Sequence, residues 1–255
     1  MVHELLIGEY MRVVYTNAFD FKTIIEALTK LIDEATFSFT TAGMDLVAID
    51  RAHISLIKLH FPKEAFEEFD VEDQFKFGFN TLYMLKIMNS AKRKEKMEIE
   101  LNNESDIVLR IMGDPLREFT IRNIEVPIPE IPELKLDFDV KAIVNSAGFK
   151  KAVSEISTVS DSVEIDGSDS GLKLRSKGST EVEVEFSKEL GGLQDIEVKK
   201  PALSSYSSDY LEDVLGLTRL SGFLNLLYSE QKPLQLEFNM ENGGSVVYLL
   251  APQMG

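Results

Sequence analysis

The chain contains no cysteine at all. That excludes disulfides, thiolate metal sites and a cysteine nucleophile in one stroke. Histidine is scarce, with three in 255 residues. His53 and His60 fall in one strand-like run at odd spacing, so they point to opposite faces and share no metal. Histidine-based chemistry therefore has almost no material to work with. No apolar run is long enough to cross a bilayer and no signal-peptide pattern is present, which predicts a cytoplasmic protein without a membrane partner. A glycine-rich phosphate loop and a strand-turn-serine elbow are also missing. Positive charge is in deficit: the formal net charge is −16, the wrong sign for a protein that simply coats nucleic acid.

One stretch stands out from this background, Asn123 to Leu136. Its three prolines alternate with aliphatic and acidic residues. Proline fixes φ, removes a backbone donor and biases its predecessor toward extended backbone. The stretch therefore reads as an extended, semi-rigid strap and makes a poor central strand. Ile124, Val126, Ile128, Ile131 and Leu134 are too apolar for a passive linker, so the strap is expected to pack against something.

Around it the pattern repeats. Residues 1–10 have no clear periodicity and read as an extension. A β run at Arg12–Tyr15 is followed by a helix with Asp20 as its cap, burying Phe21, Ile24, Ile25, Leu28, Leu31 and Ile32. Strands are expected at 36–40, 44–50, 54–61 and 74–79. A second helix after Asn80 has Leu82, Leu85 and Met88 inward. Strands follow at 97–102, 107–112 and 118–124. Beyond the strap come a strand at 136–144 and a helix burying Phe149, Ala152, Val153 and Ile156. Strands at 162–166, 172–176, 180–187 and 195–198 come next, with Gly167–Gly171 as a hairpin loop. A fourth helix at 209–220 buries Leu211, Val214 and Leu215, and strands at 224–229, 234–240 and 245–250 close the chain. The four helices recur about every sixty residues, near the upper edge of repeat periods. The sequence predicts an α+β fold of two similar domains, 11–122 and 137–255, joined by the connector 123–136. Each carries two helices on one side of antiparallel sheets.

Metal chemistry finds little support. Asp161, Glu164, Asp166 and Asp169 lack calcium-loop spacing and read as a solvated hairpin. Glu181, Glu183 and Glu185 alternate with apolar residues as the polar face of a half-buried strand. No catalytic residue, metal ligand or cofactor is assigned, and the chain is expected not to be an enzyme. The basic residues are more telling. Lys22 and Lys30, Lys86, the run Lys92, Arg93, Lys94, and Lys150 with Lys151 sit on or just after exposed faces of three helices. The fourth helix is acidic (Asp209, Glu212, Asp213) and offers only Arg219. If the helices share one side, they form a local positive surface suited to sequence-independent phosphate contact.

Gly43–Leu56 (Gly-Met-Asp-Leu-Val-Ala-Ile-Asp-Arg-Ala-His-Ile-Ser-Leu), the Ile-Pro-Glu strap and the closing Leu249-Leu-Ala-Pro252 together resemble the PCNA family of DNA sliding clamps in its archaeal form. The resemblance spans Met11 to Met254. It implies the DNA clamp fold, with three subunits closing into a ring whose twelve helices line a hole around double-stranded DNA. The implied role is a processivity factor in DNA replication and repair. It would tether DNA polymerase, flap endonuclease, DNA ligase and the clamp loader through PCNA-interacting peptides. By resemblance the peptide pocket comprises Ile49, His53, Ile54, Val126, Ile128, Pro129, Ile131, Pro132, Pro233, Leu249, Leu250, Ala251, Pro252 and Gln253. Subunits would pair through edge strands carrying Ile107, Leu109, Arg110 and Ile111 on one side and Thr180, Val182, Val184 and Phe186 on the other. Arg110 alone would face three glutamates, which suggests a heterotrimer of related subunits. Two readings from other classes compete: a carboxylate-based, metal-dependent nucleic-acid hydrolase, and an acidic peptide-binding scaffold that never touches DNA.

Overall fold

The computed structural model describes residues 11–103, 105–131 and 136–253; the extension 1–10 and Pro132 of the strap lie outside them. In the first half the elements run β1 (Met11–Tyr15), α1 (Ala18–Leu31), β2 (Glu34–Thr40), β3 (Gly43–Ile49), β4 (Ser55–Pro62), β5 (Glu68–Val71), β6 (Phe75–Asn80), α2 (Thr81–Met88), β7 (Lys96–Asn103), β8 (Asp106–Met112) and β9 (Arg117–Arg122). The second half has β10 (Val140–Asn145), α3 (Ser146–Ser157), β11 (Ser162–Ser168), β12 (Gly171–Ser176), β13 (Glu183–Phe186), β14 (Leu193–Val198), β15 (Ala202–Ser207), α4 (Ser208–Val214), β16 (Phe223–Tyr228), β17 (Leu234–Asn239) and β18 (Ser245–Leu250). A 3-10 turn, Leu215–Arg219, extends α4.

Among the described residues all pairings are antiparallel and form three sheets. One, ordered β5-β1-β7-β8-β9, belongs to the first half, and another, β13-β12-β11-β15, to the second. The third runs β14-β10-β16-β17-β18-β4-β3-β2-β6 and crosses between the halves where Ser55–His60 pairs with Ser245–Leu250. The halves thus share a sheet as well as the strap.

The four helices lie side by side: α2 packs on α1, α1 on α4 and its 3-10 extension, and α4 on α3. Their apolar faces bury onto the sheets. α1 covers Phe21, Ile24, Ile25, Leu28 and Leu31, and α3 covers Phe149, Ala152, Val153 and Ile156. Each of these fully buried side chains except Ala152 contributes about 2 kcal/mol. The first half is centred on aromatic contacts, with Tyr15 edge-on to Phe21 at 4.9 Å and Phe37 against Phe79 at 4.8 Å.

Several local expectations change. Asn17, not Asp20, precedes α1; Asp20 sits in the first turn and accepts from Asn17 Nδ2 at 2.8 Å. On α2 the buried face is Thr81, Met84, Ile87 and Met88, while Leu82 is 54% exposed. The helix starts where expected, capped by Asn80 Oδ1 accepting from the Tyr83 amide; only its inward face differs. Gly167 belongs to β11, leaving a two-residue turn at Asp169–Ser170. Residues 136–139 precede β10, and β5 and β15 are strands the sequence did not announce. His53 lies in the loop before β4 with φ 57°, not in the same strand as His60.

Candidate nucleic-acid and partner surfaces

Basic side chains gather on the exposed face of the helix layer, and they differ in how committed they are. Lys30, Lys86, Lys92, Arg93, Lys94 and Lys150 are exposed and form no ion pair among the described residues. Lys151 lies 3.7 Å from Glu155 one turn on. Lys22 is only 20% exposed, 4.0 Å from Glu26. Arg219 Nη2 donates to Glu26 Oε2 at 2.8 Å and so ties the 3-10 turn to α1. The Phe19 ring lies under three cations, with Arg93 at 5.3 Å, Arg219 at 5.8 Å and Lys22 at 6.0 Å from its centroid. Beside it opens a cleft of about 850 Å³ lined by Arg93, Lys94, Arg219, Phe223 and Asn242. At its base, burial pushes the Asp20 carboxyl up against the counteracting bonds from Tyr15 and Asn17.

The strap is fastened to β6 by its first residues. Asn123 Oδ1 accepts from the Gly78 amide at 2.9 Å and its Nδ2 donates to Lys76 O at 3.0 Å. The Ile124 amide then donates to Gly78 O at 3.1 Å, and Thr36 Oγ1 donates to Val126 O at 3.2 Å. Between strap and sheet lies a cavity of about 280 Å³ that brings together Ile49, His53, Val126, Ile128 and Pro129. Val47, Thr36 and Pro127 also line it, and the sequence reading missed them. Ile131 continues the strap half-buried.

Strand register joins this cavity to the C-terminal segment. Ile49 pairs with Leu56, and Leu56 with Leu249, and directly paired residues share a face. Leu56, absent from the expected set, is the middle of that row; its alternation within β4 was the available signal. Leu250 is corrected: as the neighbour of Leu249 it points to the other face and is fully buried in the core. Past the strand, the Ala251 amide donates to Ile54 O at 2.9 Å and the Gln253 amide to Ser205 O at 2.8 Å. Pro252 lies half-buried between them, as does Pro233 in the β16–β17 turn.

Asp50 organises the rim. Its carboxylate accepts from the amides of Ala52 (2.9 Å), Ile54 (2.8 Å) and Ser55 (2.5 Å), and from Tyr210 Oη at 3.3 Å. Burial alone would push this carboxyl up; the amide bonds from Ser55, Ala52 and Ile54 outweigh it and hold it below the usual range.

The expected interface strands need a larger correction. β8 lies inside its sheet between β7 and β9, and Ile107, Leu109 and Ile111 are core residues. Arg110 is already engaged by Glu98, Glu100 and Glu118 (2.6 Å from its Nε). It belongs to a row of alternating charge, Glu68–Arg12–Glu98–Arg110–Glu118, running across all five strands. The edges of this sheet are β5 and β9, and β9 has Glu118, Thr120 and Arg122 exposed. In the second half β13 and β15 are the edges of their sheet, and β13 spans only 183–186 of the expected 180–187. Thr180 and Val182 precede it, Val184 is half-buried, and Phe186 turns into the core. Glu183 is held by Lys173 and Arg175 at 2.8 and 2.7 Å.

Residues 11–128 match the family model for the proliferating cell nuclear antigen (PCNA) N-terminal domain, and residues 130–253 match its C-terminal domain. The chain belongs to the PCNA family. Among its relatives is "DNA polymerase sliding clamp 1" of Sulfurisphaera ohwakuensis, 50% identical over 244 residues, covering 96% of this chain and all of the relative. The protein of the same name from Sulfolobus acidocaldarius is 47% identical over 246 residues, again 96% of this chain and all of the relative. The PCNA structure from Thermococcus kodakaraensis superposes with a TM-score of 0.90 at 29% identity, covering 95% of this chain and all of that one. A chain of the PCNA2–PCNA3 complex from Sulfolobus tokodaii gives 0.90 at 27% identity, covering 95% and 99%. The α+β architecture of two PCNA domains is thus the DNA clamp fold. Among the described residues no helix is long and apolar enough to cross a membrane.

Proposed function

We propose that this chain is one subunit of a DNA sliding clamp, a non-catalytic ring that encircles duplex DNA and tethers DNA polymerase and other replication and repair enzymes. The observation that carries the reading is the single helix layer α2-α1-α4-α3 with Lys30, Lys86, Lys92–Lys94 and Lys150 exposed on it, in a chain whose net charge is −16. A closed ring is retained by topology, so weak phosphate contacts suffice, and few counterions need be released as the ring slides. The acidic remainder resists binding DNA from outside. Partner peptides enter beneath the strap: an apolar plug reaches the Ile49–Leu56–Leu249 row while flanking backbone pairs with the strap or the C-terminal segment. Glu125 and Glu130 on the rim favour basic flanks.

Ring closure uses β9 of one subunit against β13 of the next, a heterologous contact that closes by rotation. Arg110 gives no ground for a mixed ring, because β8 is enclosed: β9 offers Arg122 instead, and Glu183 of β13 is already paired with Lys173 and Arg175. The mixed ring draws instead on the likeness to a PCNA2–PCNA3 complex. The test is loading onto nicked circular DNA followed by gel filtration in salt. Retention on circles and loss after linearisation is expected; equal retention on both contradicts a clamp.

A further inference from the structure

Glu95 is the meeting point of three segments. Its carbonyl accepts from the Ala18 amide at 2.7 Å, at the first residue of α1. Its Oε2 accepts from the Lys92 amide at 2.7 Å, closing the turn that carries Lys92, Arg93 and Lys94. Its Oε1 lies 2.6 Å from Arg117 Nη2 at the start of β9. Arg117 in turn donates from Nη1 to Ser90 O at 2.6 Å, so one guanidinium grips both ends of the 90–95 segment. Both side chains are largely covered, Arg117 at 20% and Glu95 at 12% exposure, which is unlike the solvated lysines the segment displays. The β8–β9 turn makes room for them: a Cβ on Gly113 would stand 2.2 Å from Glu95 Oε1 and 2.8 Å from Arg117 Nη2. A side chain there displaces the pair.

From this geometry we infer that Arg117 and Glu95 are a positioning pair for the basic turn. Acting from the open sheet edge, they hold Arg93 over Phe19, facing Arg219 across the cleft. In this reading neither residue itself contacts phosphate, each being largely covered and paired with the other. A loop of three consecutive cations repels itself and spreads into solvent unless its backbone is fixed. Lys94 at φ 71° adopts a conformation that ordinary side chains avoid, so the turn keeps this shape only while its ends are held. Glu95 supplies the one negative charge inside the turn, and Arg117 neutralises and orients it. The inference rests on the proposed role of Arg93 at the DNA-facing surface, and its test separates the two.

The test uses the assembled clamp carrying Arg117→Met, Gly113→Ala or Arg93→Ala in this chain, with two readouts. In hydrogen exchange, Arg117→Met and Gly113→Ala should speed exchange of the Lys92 and Ala18 amides by roughly tenfold or more. The β7–β8 ladder should keep its protection. In duplex binding across a salt series, Arg117→Met should lower the slope of log affinity against log salt by about one, as Arg93→Ala does. The double variant should lose no more than either single, because both remove one contact. Exchange rising evenly over the sheet, or losses that add in the double variant, would overturn the inference and leave Arg117 a general stabiliser. If Arg93→Ala leaves the slope unchanged, the DNA-facing reading fails while the exchange experiment still decides the positioning claim. Glu95→Gln, of the same size, replaces Arg117→Met should that variant not fold, with the same expected outcomes.

Discussion

The carbonyl oxygen of Ile124 lies 2.0 Å from where a Cβ on Gly78 would stand. The strap therefore approaches β6 more closely than any side chain at this position permits. Gly78→Ala must push strap and strand apart, breaking the Ile124 amide bond to Gly78 O. Overpacking of this kind costs about 1–3 kcal/mol, readable as a lower urea midpoint. Partner-peptide affinity should fall with it, since the cavity wall moves. An unchanged midpoint would mean that the strap is held elsewhere.

Asp50 gives a pH-dependent prediction. Its folded-state pKa is lowered, so the stability it contributes is fully present above the ordinary aspartate value of about 3.9. That stability is lost as pH falls through the lower folded value. Asp50→Asn should cost about 2 kcal/mol at neutral pH, in line with hydrogen bonds to a charged group. It should also flatten the acid limb of the stability profile below about pH 4. Denaturant titrations from pH 2 to 7 on both proteins check this.

Alternation in β18 and on the strap separates docking from folding. Ile128 is exposed on the strap and Leu250 is fully buried. Ile128→Asp should weaken a PCNA-interacting peptide at least tenfold, by calorimetry, with no change in melting temperature. Leu250→Ala should cost about 2–5 kcal/mol of stability. A reversed pattern would move the site to another face.

The cations should not contribute equally. Arg219 is pledged to Glu26, whereas Lys86 and Lys150 have no ion-pair partner among the described residues. Lys86→Ala and Lys150→Ala should each reduce the salt slope of duplex binding by about one. Arg219→Ala should change it little and instead cost a few tenths of a kcal/mol through its exposed ion pair.

Much of this was legible in the sequence where a period repeats. α1 and α3 show their buried faces directly, since every third or fourth residue is apolar and the outward positions are charged. The strap was legible through its prolines, and motif resemblance named Ile49, His53, Val126, Ile128 and Pro129 of the cavity beneath it. Edge identity was not. β8 and β9 are both apolar-alternating and lie one turn apart, and only the pairing order shows that β8 is enclosed while β9 is open. Nothing in Arg110 itself reveals that three glutamates surround it, because two of them come from β7 across the ladder. Asp50 was read only as part of a motif; its role depends on a loop whose amides converge on one carboxylate.

The ring itself can be tested through what the chain lacks. With no native cysteine, one cysteine placed on β9 and one on β13 of each subunit should, on oxidation, join neighbours covalently across both edges. Loaded on nicked circular DNA, the crosslinked clamp is predicted to stay with the circle through denaturing detergent and to be released by a single cut in the DNA. Release from uncut circles after full crosslinking, or retention on linear duplex, would contradict the account.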